Sequence, residues 1–219
     1  MSYYCFVQAR YSSKRLRGKV LKKIGKFTLL EILLKRLKKS KQINKIVVLT
    51  SNSNQDKKII DLCKRNKIDY FSGPLKNVFL RFKYAIKKYR SQKIVRICAD
   101  SPLMDWRLID KMINLSKSFT SYDIISNVKT RTFPKGQSIE ILRSEIFDVS
   151  SNLLTRDEKE HVTKFFYDKK KYKIFNYKSN KKLNKYNLCV DDHNDYLVVS
   201  KLIKKKSIFA TWKSYVKEL

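Results

Sequence analysis

Tyr3 to Lys19 reads YYCFVQARYSSKRLRGK, and this stretch sets the fold. Tyr3 to Ala9 is a short apolar run ending in a basic, serine-containing loop, the pattern of a buried parallel β-strand feeding a ligand-facing turn. The loop Arg10 to Lys19 gathers three arginines, two lysines, two serines and one of only four glycines. Side-chain cations and backbone N–H groups in one turn suit a polyphosphate. A charged surface loop is the alternative at this point.

Working outward, apolar runs of strand character alternate with segments of helical period. Thr28 and Glu31 have capping-box spacing, and Leu29, Leu30, Leu33, Leu34 and Leu37 share one face, which predicts a helix over 28–39. Strands are expected at 45–50 (KIVVLT), 68–71, 93–98 (KIVRIC) and 122–126, with helices between them over 55–66, 77–89 and from Asp105 onward. This alternation predicts an α/β fold with a mostly parallel sheet and helices on both faces. Beyond Val128 the rhythm changes. A basic loop, a strand over 138–142, short helices near 144–149 and 157–167, strands over 173–177 and 187–190, and two closing helices are expected. The whole chain, 1–219, is read as one domain, with 128–186 as a distinct subregion.

Composition bounds the function. The 219 residues carry 51 Lys and Arg against 19 Asp and Glu, a formal net charge of +32, which alone suggests a nucleic-acid partner. The lysines, however, spread along the chain at polar helix positions, and the scarcity of Gly, Pro and Ala beside abundant Asn, Ile, Tyr and Lys follows AT-rich codons. A solvated surface is therefore preferred, with no specific nucleic acid as partner. No apolar run reaches the roughly 18 residues a membrane span needs, and the first ten residues lack signal-peptide character, so a cytoplasmic location is expected. Cys5, Cys63, Cys98 and Cys189 form no C-x-x-C pair and read as buried free thiols.

In an open parallel sheet, ligands bind beyond the carboxyl ends of the strands. Two acidic sites fall there. Asp100 follows KIVRIC and precedes Ser101-Pro102, while Asp191 and Asp192 follow the expected strand 187–190. Asp192 or Asn194 can cap the next helix, which leaves Asp191 freer to join Asp100 in holding Mg2+, a hard oxygen-seeking cation. An Asx turn at Asp100 is the structural alternative.

The residues, taken in order, resemble the sugar cytidylyltransferases, especially the spore-coat-polysaccharide type. QARYSSKRLRGKVL is similar to that family's phosphate-loop signature. KIVVLTSN, the segment Gly73 to Phe82 ending NVFLRF, IVRICADSPLMD, RTFPKGQSIEIL, DEKEHVT and VDDHNDY continue the likeness over nearly the whole chain. The resemblance implies a Rossmann-like nucleotide-diphospho-sugar transferase fold. It also implies Mg2+-dependent transfer of CMP from CTP to a sugar, an acidic keto sugar, with release of pyrophosphate, in surface polysaccharide biosynthesis. By residue match, Arg10, Ser13, Arg15 and Lys19 belong to the triphosphate loop, with Thr50, Ser51 and Arg81 near the nucleotide. Asp100 and Asp191 bind the metal, and Arg15, Lys19 and Asp100 carry catalysis. Arg131, Gly136, Glu140, Glu160 and His161 approach the sugar or the partner of a homodimer. Ser12, Lys14, Arg17 and Ser138 stand where the family usually has glycine, a small residue, proline and aspartate; a positive φ at Ser12 would strain the loop by about 1 kcal/mol. Use of another nucleoside triphosphate, or a basic nucleic-acid-binding role, are the alternatives.

Overall fold

The computed structural model describes Met1 to Leu219. In chain order the strands and helices are β1 (Tyr3–Gln8), β2 (Lys23–Ile24), β3 (Phe27–Thr28), α1 (Leu29–Leu37), β4 (Lys45–Ser51), α2 (Lys57–Arg65), β5 (Asp69–Gly73), α3 (Val78–Tyr89), β6 (Lys93–Cys98), α4 (Trp106–Ser118), β7 (Ile124–Ser126), β8 (Glu140–Arg143), α5 (Arg156–Glu160), α6 (Lys164–Asp168), β9 (Ile174–Asn176), α7 (His193–Lys205) and α8 (Trp212–Val216). Seven strands form one sheet in the order β5-β4-β1-β6-β8-β7-β9, while β2 and β3 make a small separate hairpin. All neighbours in the large sheet run parallel except where β8 meets β6 and β7.

Alternation along each strand divides the core. In β1, Cys5 and Val7 join the cluster formed with α1, α2, α4, α7 and α8, whereas Phe6 points to the other face with Phe79 and Phe82 of α3 and with Phe147 and Phe166. Both faces of the central strands are therefore covered by helices, which is why these strands read as continuous apolar runs. Thr28 and Glu31 form the expected full capping box on α1 and Asp105 caps α4 as expected, while Asn77 adds a cap on α3. No helix is long and apolar enough to cross a membrane.

The connection after β1 leads to β4 on one side, and the connection after β6 leads to β7 on the other. The order in which the chain adds strands thus reverses between the adjacent, parallel β1 and β6, and a crevice at their carboxyl ends is the expected ligand position. The loops at this point are 10–19 and 99–105.

Three expectations need correction. The segment 187–190 is not a strand. It touches the rest through one bridge, Lys135 to Asn187, and through Leu188 N–H donating to Lys135 and Val190 N–H donating to Asp100, at 2.9 and 2.8 Å. The expected helix over 157–167 is broken into α5 and α6 around 161–163. Finally, Ser12 has no positive φ. The left-handed position in the phosphate loop is Gly18, at φ 68°, so serine at 12 costs no such strain.

Gly136 explains how segment 187–190 is placed. It has φ 87°, and a Cβ there would lie 2.6 Å from the Leu188 carbonyl carbon and 2.8 Å from Cys189 N. Both atoms are backbone, so neither can swing aside. Gly136→Ala is expected to destabilise the fold by about 2–4 kcal/mol, combining overpacking with a left-handed backbone, and to lower Tm by roughly 5 °C or more in thermal denaturation. An unchanged Tm would mean the two segments do not pack this closely.

Candidate active site

The loop after β1 is held from beneath. Asp56, wholly buried, accepts Tyr11 N–H at 2.7 Å and Ser51 N–H at 2.9 Å, and Ser51 Oγ also donates to it. The loop then folds on itself, with Ser13 and Gly18 N–H both donating to the Tyr11 carbonyl at 2.8 Å. Gly18 packs against the Tyr11 ring, where a Cβ would meet a ring carbon at 2.8 Å. The left-handed turn at Gly18 starts a single 3-10 turn, Lys19–Leu21, and directs Lys19 inward.

Lys19 is 9% exposed, and its Nζ lies 3.0 Å from Asp191 Oδ1 and 3.3 Å from Asp100 Oδ2. Arg15 reaches the other Asp191 oxygen, Oδ2, at 3.0 Å. Asp191 is available because its neighbour Asp192 caps α7 instead, accepting Asp195 N–H while Asp195 accepts Asp192 N–H in return. Burial alone would lower the Lys19 pKa, but Asp100 and Asp191 outweigh it and the ammonium is held above its usual value. Burial alone would raise the Asp191 carboxyl, and Lys19 with Arg15 reverses this, leaving it below the usual carboxylate range.

Two hollows meet at these acids. One, of about 400 Å³, is lined by Gln8, Arg10, Ser13, Lys14, Arg15 and Lys19. The other, of about 590 Å³, is lined by Arg96, Arg131, Lys135, Gly136, Glu140 and Tyr167 among others. Cys98, Asp100, His161 and Asp191 belong to both, so the two form one cleft divided at the carboxylates. A larger hollow of about 750 Å³ lies elsewhere, around Phe133, Tyr177 and Trp212. Its one carboxylate, Asp105, is already spent on the N–H groups of Arg107 and Trp212, so that hollow offers no free carboxylate to hold a metal.

On the floor of the second hollow, Arg96 of β6 pairs with Glu140 of β8 and donates to Gln8 at 3.2 Å. Glu140 is 3% exposed and its Oε1 has no hydrogen-bond partner. Arg131 donates to Ser138 Oγ at 3.0 Å, and neither Arg131 nor Lys135 is paired with a carboxylate. At the rim, Arg10 meets Glu160 at 3.1 Å, and His161 Nε2 lies 3.5 Å from Asp157. The thiols are inert by environment. Burial pushes Cys98 up to about 11 and Cys189 up to about 12, with nearby carboxylates adding to it.

Arg10, Ser13, Arg15, Lys19, Asp100, Asp191 and His161 are thus brought together, and Arg131, Gly136 and Glu140 join them across the carboxylates. Thr50, Ser51 and Arg81 are not. All three are buried: Ser51 is spent on Asp56, Thr50 Oγ1 has no partner, and Arg81 donates to the Pro74 and Leu75 carbonyls. Arg81 therefore shapes the loop after β5. Gln8, Arg96, Tyr167 and Asp56 were not anticipated. Arg96 alone left a signal, as the one charge inside the apolar run IVRIC.

The chemistry of the donor set decides whether a divalent metal suits it. Two carboxylates converge on one cation, both through hard oxygen atoms, and no cluster of three or more His, Cys, Asp or Glu able to hold a metal occurs. Two protein carboxylates completed by phosphate oxygens and water are how Mg2+ is commonly held, so the residues fit that ion.

Residues 4–210 match the family model described as cytidylyltransferase. The chain is similar to a solved cytidylyltransferase from Leptospira borgpetersenii, with 30% identity and TM-score 0.94, covering 100% of this chain and 93% of that one. It is 28% identical to the spore coat polysaccharide biosynthesis protein SpsF of Bacillus subtilis over 91% of this chain and 85% of that protein. An uncharacterised protein of Methanocaldococcus jannaschii is 38% identical over 77% of this chain and 69% of its own length. The solved CMP:2-keto-3-deoxy-manno-octonic acid synthetase complexed with CTP shares the fold, with TM-score 0.74 at 12% identity, over 94% of this chain and 99% of that one.

The Lys19–Asp191 pair gives stability a defined pH window. Asp191 is depressed, so its contribution is complete above the unfolded carboxyl value of about 3.9 and is lost as pH falls through the folded value. Lys19 is raised, so its contribution is complete below about 10.4 and is lost as pH rises through the folded value. Lys19→Met, which leaves two carboxylates facing each other, is expected to show a lower Tm than wild type at pH 7. That deficit should close below about pH 4 as Asp191 protonates. A deficit independent of pH would contradict the pairing.

Proposed function

The chain belongs to the cytidylyltransferase family, and on that premise we propose that it transfers CMP from CTP to an acidic keto sugar with Mg2+, releasing pyrophosphate. The observation that carries this reading is the meeting of Asp100 and Asp191 at the boundary between a cation-rich hollow and a second hollow with unpaired Arg131 and Lys135. A triphosphate fits the first. An acceptor bearing a carboxylate fits the second.

In such a transfer a sugar hydroxyl oxygen attacks the α-phosphorus in line and gives up its proton to water, the bond to the bridging oxygen breaks, and pyrophosphate leaves. Arg10, Ser13, Arg15 and Lys19 bind the phosphates, and their charges offset the negative charge that builds on the leaving group. Asp100 and Asp191 would hold the divalent ion, which would supply charge neutralisation there. Arg131 and Lys135 pair with the acceptor's carboxylate. Glu140, on the floor of the second hollow, orients Arg96 through their ion pair. Most of the work is positioning, so no activated Ser or Cys nucleophile is needed.

The single-domain reading over 1–219 is retained, with 128–186 serving the acceptor and a homodimer, since Arg131, Gly136, Glu140 and His161 all come from that segment. The name of the Bacillus subtilis relative supports a place in surface polysaccharide synthesis, with the reaction run in the cytoplasm where CTP is available.

Among the four nucleoside triphosphates, CTP with a 2-keto-3-deoxy sugar acid is expected to give the fastest pyrophosphate release, and chelation of divalent ions to abolish it. Asp100→Ala should eliminate turnover with an unchanged circular dichroism spectrum. Arg15→Ala should weaken CTP binding by about 1.5–3 kcal/mol, the range for a charge-assisted hydrogen bond. Equal release with all four nucleotides, or calorimetry showing unchanged CTP affinity in Arg15→Ala, would refute these assignments.

A further inference from the structure

All four carboxylate oxygens of the acidic pair already have a donor. Asp100 Oδ1 accepts from Ser101 Oγ at 3.2 Å and Oδ2 from Lys19 Nζ at 3.3 Å, while Asp191 Oδ1 accepts from Lys19 Nζ at 3.0 Å and Oδ2 from Arg15 at 3.0 Å. The ammonium occupies the point where the two carboxylates converge. A divalent ion bound to both would sit about 2.0–2.6 Å from each oxygen, the range for Mg2+ and Ca2+, and would compete with Lys19 Nζ for that space and for the same charge. Two cations cannot share it without strong repulsion.

The lysine is built to move only at its tip. Its backbone is fixed by the left-handed turn at Gly18 and by Lys22 N–H donating to the Lys19 carbonyl at 3.0 Å, while the ammonium ends a flexible four-carbon stem. The hollow beside it, lined by Arg10, Ser13 and Arg15, is where an incoming triphosphate would offer the ammonium a new partner.

We propose that Lys19 is an internal counter-cation that excludes a free divalent ion from the Asp100–Asp191 site until a triphosphate draws its ammonium away. The proposal rests on the nucleotidyl-transfer reading for the second half of that sequence. Metal then enters with the nucleotide rather than ahead of it. Arg15 reinforces the exclusion by occupying the remaining Asp191 oxygen. Positive coupling follows, because a ligand that displaces Lys19 tightens the site for metal, and metal tightens it for that ligand by the same factor.

The test is a titration of nucleotide-free protein with Mn2+ alone, following the free-ion signal by electron paramagnetic resonance. Wild type is expected to bind weakly. Lys19→Met, similar in length and uncharged, should bind one Mn2+ at least tenfold more tightly, and Asp191→Asn added to it should remove the gain. Should Lys19→Met fail to fold, Arg15→Gln removes the cation from Asp191 Oδ2 at an exposed position, leaving only the weak Cys189 thiol donor at 3.8 Å, and is expected to bind Mn2+ at least threefold more tightly than wild type. Equal affinity in wild type and the folded variant, or a gain that survives Asp191→Asn, would overturn the proposal. No nucleotide enters these titrations, so a failure of CTP turnover would count against the proposed function while leaving the comparison decisive.

Discussion

The ion pairing of Lys19 with Asp100 and Asp191 is the constraint around which the cleft is assembled. The three residues come from the loop after β1, the loop after β6 and the segment before α7, and no two are close in sequence. Breaking a fully buried pair costs about 3–5 kcal/mol because the partner charge is stranded. The cost here is smaller, since both acids keep about 30% of their side-chain surface exposed. The same partial exposure suits the exchange of Lys19 for a divalent ion proposed above.

The scaffold exists to bring those three segments to one place. Parallel pairing of β1 with β4 and β6 fixes two of them at the carboxyl end of the sheet, where the strand order reverses. The third is delivered without a strand. Gly136 lets the backbone of 133–138 lie directly on Leu188 and Cys189, and Val190 N–H then docks on the Asp100 carbonyl. Gln137 braces the same arrangement from beneath, accepting Asp105 N–H and donating to the Leu103 carbonyl, both at 3.0 Å. One loop thus ties the metal-facing loop to the segment bearing Asp191.

Much of this was legible in the sequence because it is local. Thr28 with Glu31 and Asp105 announce their helices through caps, and the apolar runs of β1, β4 and β6 announce a sheet covered on both faces. The cleft residues Arg10, Arg15, Lys19, Asp100 and Asp191 were legible from their places after the strands, with Asp191 set apart because Asp192 caps α7. What was not legible depends on contacts that sequence pattern does not show. Thr50 and Ser51 end a strand at the right edge, but Asp56 holds the serine and both are buried. Arg81 sits on a helix with four buried neighbours, Val78, Phe79, Phe82 and Ala85, and its charge is turned to the Pro74 and Leu75 carbonyls; no periodicity distinguishes that from an exposed cation. The extended segment 187–190 has the composition of a strand and lacks only a neighbouring strand.

The large positive charge also finds its place in this picture. On the proposed reading the cleft holds a triphosphate and an anionic acceptor together and needs cations that its own acids do not neutralise; Lys14, Arg131 and Lys135 line it without a carboxylate partner. Hydrogen–deuterium exchange with and without CTP and Mg2+ tests the location of that chemistry most directly. Slower exchange is predicted in residues 10–21, 99–105 and 187–193. Protection confined to residues 105–111, 177–183 and 211–217, around the hollow at Phe133 and Trp212, would contradict the assignment of the cleft.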